Sequence, residues 1–182
     1  MRDITNAPIF LRLGRRMRAP KDMEIGKMRR INISDIIVHN ANPESASLIL
    51  GIPGHNIEDV KLNNIQFLVT GGAPKEYSTI NVPELEDHYP DPRFFGKIPA
   101  YGFFIRHVEG IEFNNVEIRY KNNDLRPAFV LDDVRNAEFN NVDTRKLKDV
   151  PTFILKDVKN FETYQCESVV NTKLENVKEK KL

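Results

Sequence analysis

Five segments of this chain repeat one pattern, and internal repetition constrains a fold before any local preference does. Val108-Glu-Gly-Ile111-Glu-Phe113-Asn-Asn115-Val116-Glu-Ile118 recurs almost residue for residue as Val134-Arg-Asn-Ala137-Glu-Phe139-Asn-Asn141-Val142. Ile57-Glu-Asp-Val60-Lys-Leu62-Asn-Asn64-Ile65-Gln-Phe67 is a third copy, and looser copies begin at Met28 and Val158. Marked positions fall 3, 5, 8 and 10 residues after the first. Apolar residues alternate up to the Asn-Asn step, the period of a strand with one face buried. The two asparagines shift that phase, and Asn tolerates the left-handed conformation of a sharp bend, so the step predicts a corner.

The copies start at 28, 57, 108, 134 and 158, which are 29, 51, 26 and 24 residues apart. With an insertion taken out of the long interval, the unit is too short for a βαβ crossover and long enough for three short strands. A second strand precedes each copy: Pro127-Ala-Phe129-Val-Leu131-Asp-Asp-Val134 matches Pro151-Thr-Phe153-Ile-Leu155-Lys-Asp-Val158. Pro99 to Val108 is the same with two extra residues, and Ala46 to Leu50 and Ala7 to Leu13 are weaker versions. One such unit cannot bury its inward residues, whereas stacked units can, so the pattern predicts an all-β chain, a parallel solenoid of three-strand coils. Phe113 should lie on Phe139 with Leu62 beneath, and Val116 on Val142 with Ile65. The residues between them are mainly charged, as a solvated sheet face requires.

The 182 residues, 40% hydrophobic, form one domain spanning 1–182, with a loop insertion at about 71–98 and a charged tail at about 172–182 that is a polar cap or frayed. A net charge of +1 gives no global pull toward nucleic acid or an anionic membrane. No apolar run reaches the length of a membrane span, and no signal peptide opens the chain. Cys166 alone makes no internal disulfide and reads as core filler. Met1 to Ile4 reads as the tail of a third strand whose partners lie upstream. The expectation is therefore an N-terminally truncated solenoid whose inward residues Ile4, Ile9, Leu11, Met28 and Ile31 invite homo-oligomer formation through the exposed first coil.

Arg12, Arg15, Arg16 and Arg18 put four arginines in seven positions. They read either as a solvated turn or as a carboxylate-binding edge, because guanidinium matches carboxylate geometry with paired hydrogen bonds. His55 follows the turn Gly51-Ile-Pro-Gly54, where glycine serves a tight bend; it is a surface histidine or a substrate contact. In the insertion, Pro83 to Tyr89 has the character of a helical turn or two, and Phe94 and Phe95 would pin it to the sheet. Glu84, Glu86, Asp87 and His88 do not have metal-ligand spacing, and His39, His55, His88 and His107 are dispersed, so neither a metal nor a cofactor is expected. Asp132-Asp133 is an acid pair of the kind glycosidases use. Arg106-His107 and Lys156-Asp157 hold the same place in neighbouring units, which favours an ordinary strand end.

Met1-Arg-Asp-Ile-Thr-Asn-Ala-Pro-Ile-Phe-Leu-Arg-Leu-Gly, Gly51-Ile-Pro-Gly-His, Val82-Pro-Glu-Leu-Glu, Pro99-Ala-Tyr-Gly-Phe-Phe-Ile-Arg-His-Val and Pro127-Ala-Phe-Val-Leu-Asp-Asp-Val together resemble the C-terminal part of family 28 glycoside hydrolases, the polygalacturonase-like enzymes. The resemblance covers nearly the whole chain. It implies a right-handed parallel β-helix, inverting hydrolysis of galacturonate-containing pectic polysaccharide, and a periplasmic or secreted setting. The Asn-Thr-Asp, Gly-His-Gly and Arg-Ile-Lys motifs of that family do not occur here, and Asp132-Asp133 lies too late to be its catalytic pair. No catalytic residue is assigned, and the chain alone is expected to be inactive. What the resemblance leaves is binding of acidic polysaccharide, through Arg12, Arg15, Arg16 and His55. The alternatives are a non-catalytic β-helix that binds such a polymer and a purely structural solenoid.

Overall fold

The computed structural model describes residues 1–182 apart from Met17, Ala19, Lys21, Asp22 and Pro43. Strands make up 54% of the protein. In chain order they are β1 (Phe10–Arg12), β2 (Arg29–Ala41), β3 (Ser47–Leu50), β4 (Ile57–Gly71), β5 (Phe103–Asn122), β6 (Phe129–Thr144), β7 (Phe153–Tyr164) and β8 (Thr172–Lys181). All belong to one sheet, in which β5 pairs with β3 through its first residues and with β4 through the rest. Every pairing is parallel except the last, β7 with β8.

The repeat sets the register. Leu62, Phe113 and Phe139 are partners in adjacent strands, as are Ile65, Val116 and Val142. The long strands bend at shared positions, where the backbone is left-handed. Arg30, Asp59, Gly110, Asn136 and Asn160 form one such column, and Asp35, Asn64, Asn115, Asn141 and Gln165 a second. His107, Asp133 and Asp157 form a third, and φ in all three columns lies between 50° and 78°. The Asn-Asn corner is thus the second column. The other two bends mix residue types from strand to strand (Arg, Asp, Gly and Asn in one, His and Asp in the other), so they lack the uniform signature of the Asn-Asn step. Asparagine side chains bridge neighbouring strands along the corner: Asn114 donates to Asn63 (3.1 Å) and Asn140 to Asn114 (3.1 Å). Asn115 donates to Asn64 (2.8 Å) and Asn141 to Asn115 (3.1 Å).

Inside, two phenylalanine columns stack like on like. Phe113 lies on Phe139 with ring centroids 4.8 Å apart, and Phe103, Phe129 and Phe153 follow at 5.9 and 5.0 Å. The columns meet edge to face, as between Phe129 and Phe139 (5.0 Å). Each such pair adds about 0.5–1.5 kcal/mol beyond the burial itself. Thr163 takes the phenylalanine place in the next strand. Its hydroxyl donates to Val170 O and accepts from Thr172 N, and there the chain reverses into antiparallel β8. The charged tail is therefore an ordered edge strand that covers the sheet. It pairs through Lys178 with Asp157 (2.6 Å) and Lys173 with Glu162 (3.3 Å).

At the other end, Met1 to Thr5 run beside the end of β2, with Asp3 N donating to His39 O (2.9 Å). Ile9 is buried, while Ile4, Leu11, Met28 and Ile31 are half-buried against the core. Between β4 and β5 the chain carries no strand but two 3-10 turns, Lys75–Thr79 and Pro92–Phe95. Pro83 to Tyr89 holds only a single turn, closed from Leu85 O to His88 N (3.1 Å), rather than a helix. Phe95 is buried, whereas Phe94 points to solvent, so one aromatic pins the loop and not two.

Candidate functional site

The insertion meets the sheet where one charged column crosses it. Register places Arg12, Leu50, Arg106, Asp132 and Lys156 side by side at equivalent strand positions. The next residues, His107 and Asp133, are left-handed corner residues, and that bend turns their side chains toward each other. His107 Nδ1 lies 2.7 Å from Asp133 Oδ2 and Nε2 lies 3.4 Å from Glu84 Oε1 of the insertion.

Arg106 is 3% exposed. It donates through Nη1 to Val82 O (2.7 Å) and through Nη2 to Pro83 O (2.8 Å), and pairs with Glu84 Oε1 at 3.1 Å. Arg12 donates to Gly51 O (2.9 Å) and Glu84 O (2.7 Å), and its guanidinium stands 5.4 Å from the Phe95 ring centre. Two arginines and a histidine of the sheet thus hold residues 82–84. Burial lowers the pKa of both guanidinium groups, and the charge of Arg106 lowers that of Arg12 further. Burial raises the Asp132 carboxyl, against the pull of Arg106 and Lys156. Among the described residues, two buried polar atoms at this site lack a partner, Arg106 Nε and Glu84 Oε2.

A hollow of about 440 Å³ opens beside this cluster, lined by Arg15, Glu84, Leu85, Glu86, Asp87 and His88. Arg15 is exposed there, and its backbone N–H donates to Glu86 O (2.5 Å). The Arg16 guanidinium lies over the Tyr89 ring, 4.6 Å from its centre, and that ring is 60% exposed. Arg12, Arg15 and Arg16 therefore all reach the insertion, but in three ways: one anchors it, one borders the hollow and one stacks on an exposed aromatic. His55 closes the turn from Ile52 and is exposed; it is not among the residues lining the hollow. The acidic group of the insertion is divided. Glu84 turns inward, while Asp87 pairs with His88 (2.7 Å), and that hydrogen bond lowers the Asp87 pKa.

A second groove, of about 470 Å³, runs along the asparagine corner past Asn64, Asn115, Asn141, Gln66, Glu117 and Asp143. Beside it Arg119 joins three carboxylates, Glu117 (2.9 Å), Asp143 and Glu167 (3.7 Å). Burial and a hydrogen bond to Glu167 push the Asp143 carboxyl up to about 6, against the opposing charge of Arg119. Among the described residues, no three His, Cys, Asp or Glu side chains converge as a metal ion would require.

The sequence reading passed over Arg106 and His107, although it aligned them with Asp132-Asp133. Opposite charges one repeat apart in a parallel stack are cross-strand neighbours, and that was the available signal. Glu84 had none, since it lies in the stretch without a period. No protein-family model matches the chain, and neither a curated protein nor a solved structure matches it.

Proposed function

We propose that the chain is a right-handed parallel β-helix corresponding to the C-terminal coils of a polygalacturonase-like, family 28 glycoside hydrolase, and that it binds the galacturonate of pectic polysaccharide without cleaving it. The in-register parallel strands with three shared corner columns support the solenoid part of this reading. The observation that carries the binding part is the meeting of Arg15 and Arg16 with the insertion. An exposed guanidinium and an arginine-backed, solvent-facing tyrosine ring offer a carboxylate partner and a stacking surface to an acidic sugar. Glu86 and Asp87 in the same hollow repel a uronate, so the polymer is placed along the Arg16–Tyr89 side. The motifs quoted above carry the family assignment, and with it a periplasmic or secreted setting.

The test is affinity electrophoresis in gels containing polygalacturonate or neutral galactan. Retardation by polygalacturonate alone is expected, weakened about tenfold in an Arg15→Ala/Arg16→Ala variant, with no release of reducing ends. Equal mobility in the two gels would sink the binding reading. A purely structural solenoid is the second reading. It is favoured by Arg12, whose guanidinium is committed to the carbonyl groups of Gly51 and Glu84.

A further inference from the structure

We propose that Arg106 and His107, with the charge of Arg12 beside them, form a carboxylate-binding cradle, and that Glu84 of the insertion occupies it as a built-in stand-in for an acidic ligand. The choice of a uronate as that ligand rests on the acidic-glycan reading above; the cradle itself rests on geometry.

Like charges converge here. Arg12 and Arg106 stand on either side of Leu50 at equivalent strand positions, close enough that the charge of one disfavours the charge of the other. His107 joins them from the adjoining corner. Asp133 holds His107 from one side, and Asp132 lies in the next strand beyond Arg106, with Lys156 after it. Glu84 is the one carboxylate that the insertion sends between Arg106 and His107.

The fit of Glu84 is incomplete. A guanidinium and a carboxylate pair best through two parallel hydrogen bonds. Here one oxygen, Oε1, serves both Arg106 (3.1 Å) and His107 (3.4 Å), while Oε2 and Arg106 Nε are buried without partners among the described residues. A side chain tethered to its own backbone, which Arg12 and Arg106 also grip at residues 82–84, has no freedom to turn its second oxygen into place. A free carboxylate has that freedom. Glu84 also lines the 440 Å³ hollow, so a ligand entering that hollow meets the side chain it would replace.

The experiment is calorimetric titration of wild type and Glu84→Gln with acetate, D-galacturonate and D-galactose. Glu84→Gln keeps the shape and removes the competing charge; Glu84→Ala repeats the measurement if the glutamine amide itself fills the cradle. Carboxylate affinity is expected to rise at least tenfold in these variants, to fall back when His107→Asn is added, which removes the ring but suits the left-handed corner, and galactose is expected to show no change. A gain for both acids supports the cradle together with the uronate reading. A gain for acetate alone supports the cradle and overturns the uronate. No gain for either acid in either variant, or a gain that survives His107→Asn, overturns the cradle even if polygalacturonate still retards the protein through Arg15 and Arg16.

Discussion

Gly51 and His107 approach so closely that a methyl group on residue 51 would lie 2.2 Å from the His107 carbonyl oxygen. Residue 51 must therefore be glycine for the end of β3 to pass the charged corner of β5, and its own carbonyl is then free to accept from Arg12. Glycine in this turn was legible as a tight bend, but the neighbour that demands it was not. The corner columns teach the same lesson. Their left-handed positions take Asn in some strands and Asp, His, Gln or Arg in others, so composition marks only part of what geometry requires. Asp143 gives a residue-scale prediction. Its folded pKa, about 6, lies above the ordinary 3.8, so the folded protein holds this proton more tightly than the unfolded chain does. That contribution is complete below about pH 4 and is lost as pH rises through about 6. Since solvent still reaches the carboxyl, the loss is about 1 kcal/mol. Urea unfolding of wild type and Asp143→Asn from pH 4 to 8 should show the variant gaining on wild type across that window. A constant difference between the two would show that Asp143 titrates normally.

The insertion is an element without regular structure, and two side chains fix its ends. Asp124 and Arg126 are almost wholly buried and pair at 2.8 Å. Asp124 Oδ2 accepts from Ala73 N (3.3 Å), and Arg126 Nη1 donates to Ile98 O (3.0 Å). One ion pair thus holds residues 73 and 98, where the chain leaves the sheet and where it returns. Removing one partner leaves the other buried and uncompensated, at a cost of about 3–5 kcal/mol. Arg126→Met should lower the urea midpoint accordingly and expose the insertion to proteolysis. Lys178→Met, which breaks the solvent-exposed pair to Asp157, should move the midpoint far less, because solvent screens that pair. Equal losses in the two variants would mean that the buried pair is not the anchor. The pair escaped the sequence reading because Asp124-Leu125-Arg126 falls outside every repeat copy, and nothing local distinguishes it from a solvated turn.

The whole molecule has two unlike edges. At one, β8 runs antiparallel to β7 and lines the edge with Lys173, Lys178, Lys180 and Lys181, charges that discourage another strand from adding there. At the other, among the described residues, β1 pairs only with β3, and β2 pairs with β4 and, on its far side, only with the short run of Met1 to Thr5 near its end; Ile31, Ile33 and Ile36 of β2 are half-buried. Full burial of such a side chain is worth about 1.5–3 kcal/mol, so covering the half that remains is worth about 1 kcal/mol for each. Association through this edge is the expected outcome, seen in light scattering as a mass that rises with concentration. A monomer at every concentration up to the solubility limit would count against it.

The chain's own period determined the strands, their parallel partners and the stacking of Phe113 on Phe139, because stacked rows are stable only when inward residues recur at one spacing. The asparagine corner followed from the same period. Only the tertiary structure decided where the aperiodic segments bind. Glu84 reaches Arg106 and His107 across more than twenty residues of sequence, and the tail reverses direction where Thr163 replaces phenylalanine. A repeat specifies what each row does to the next; it carries no information about a segment that belongs to no row. The candidate site, built where such a segment meets the stack, was therefore visible in advance on its sheet side alone.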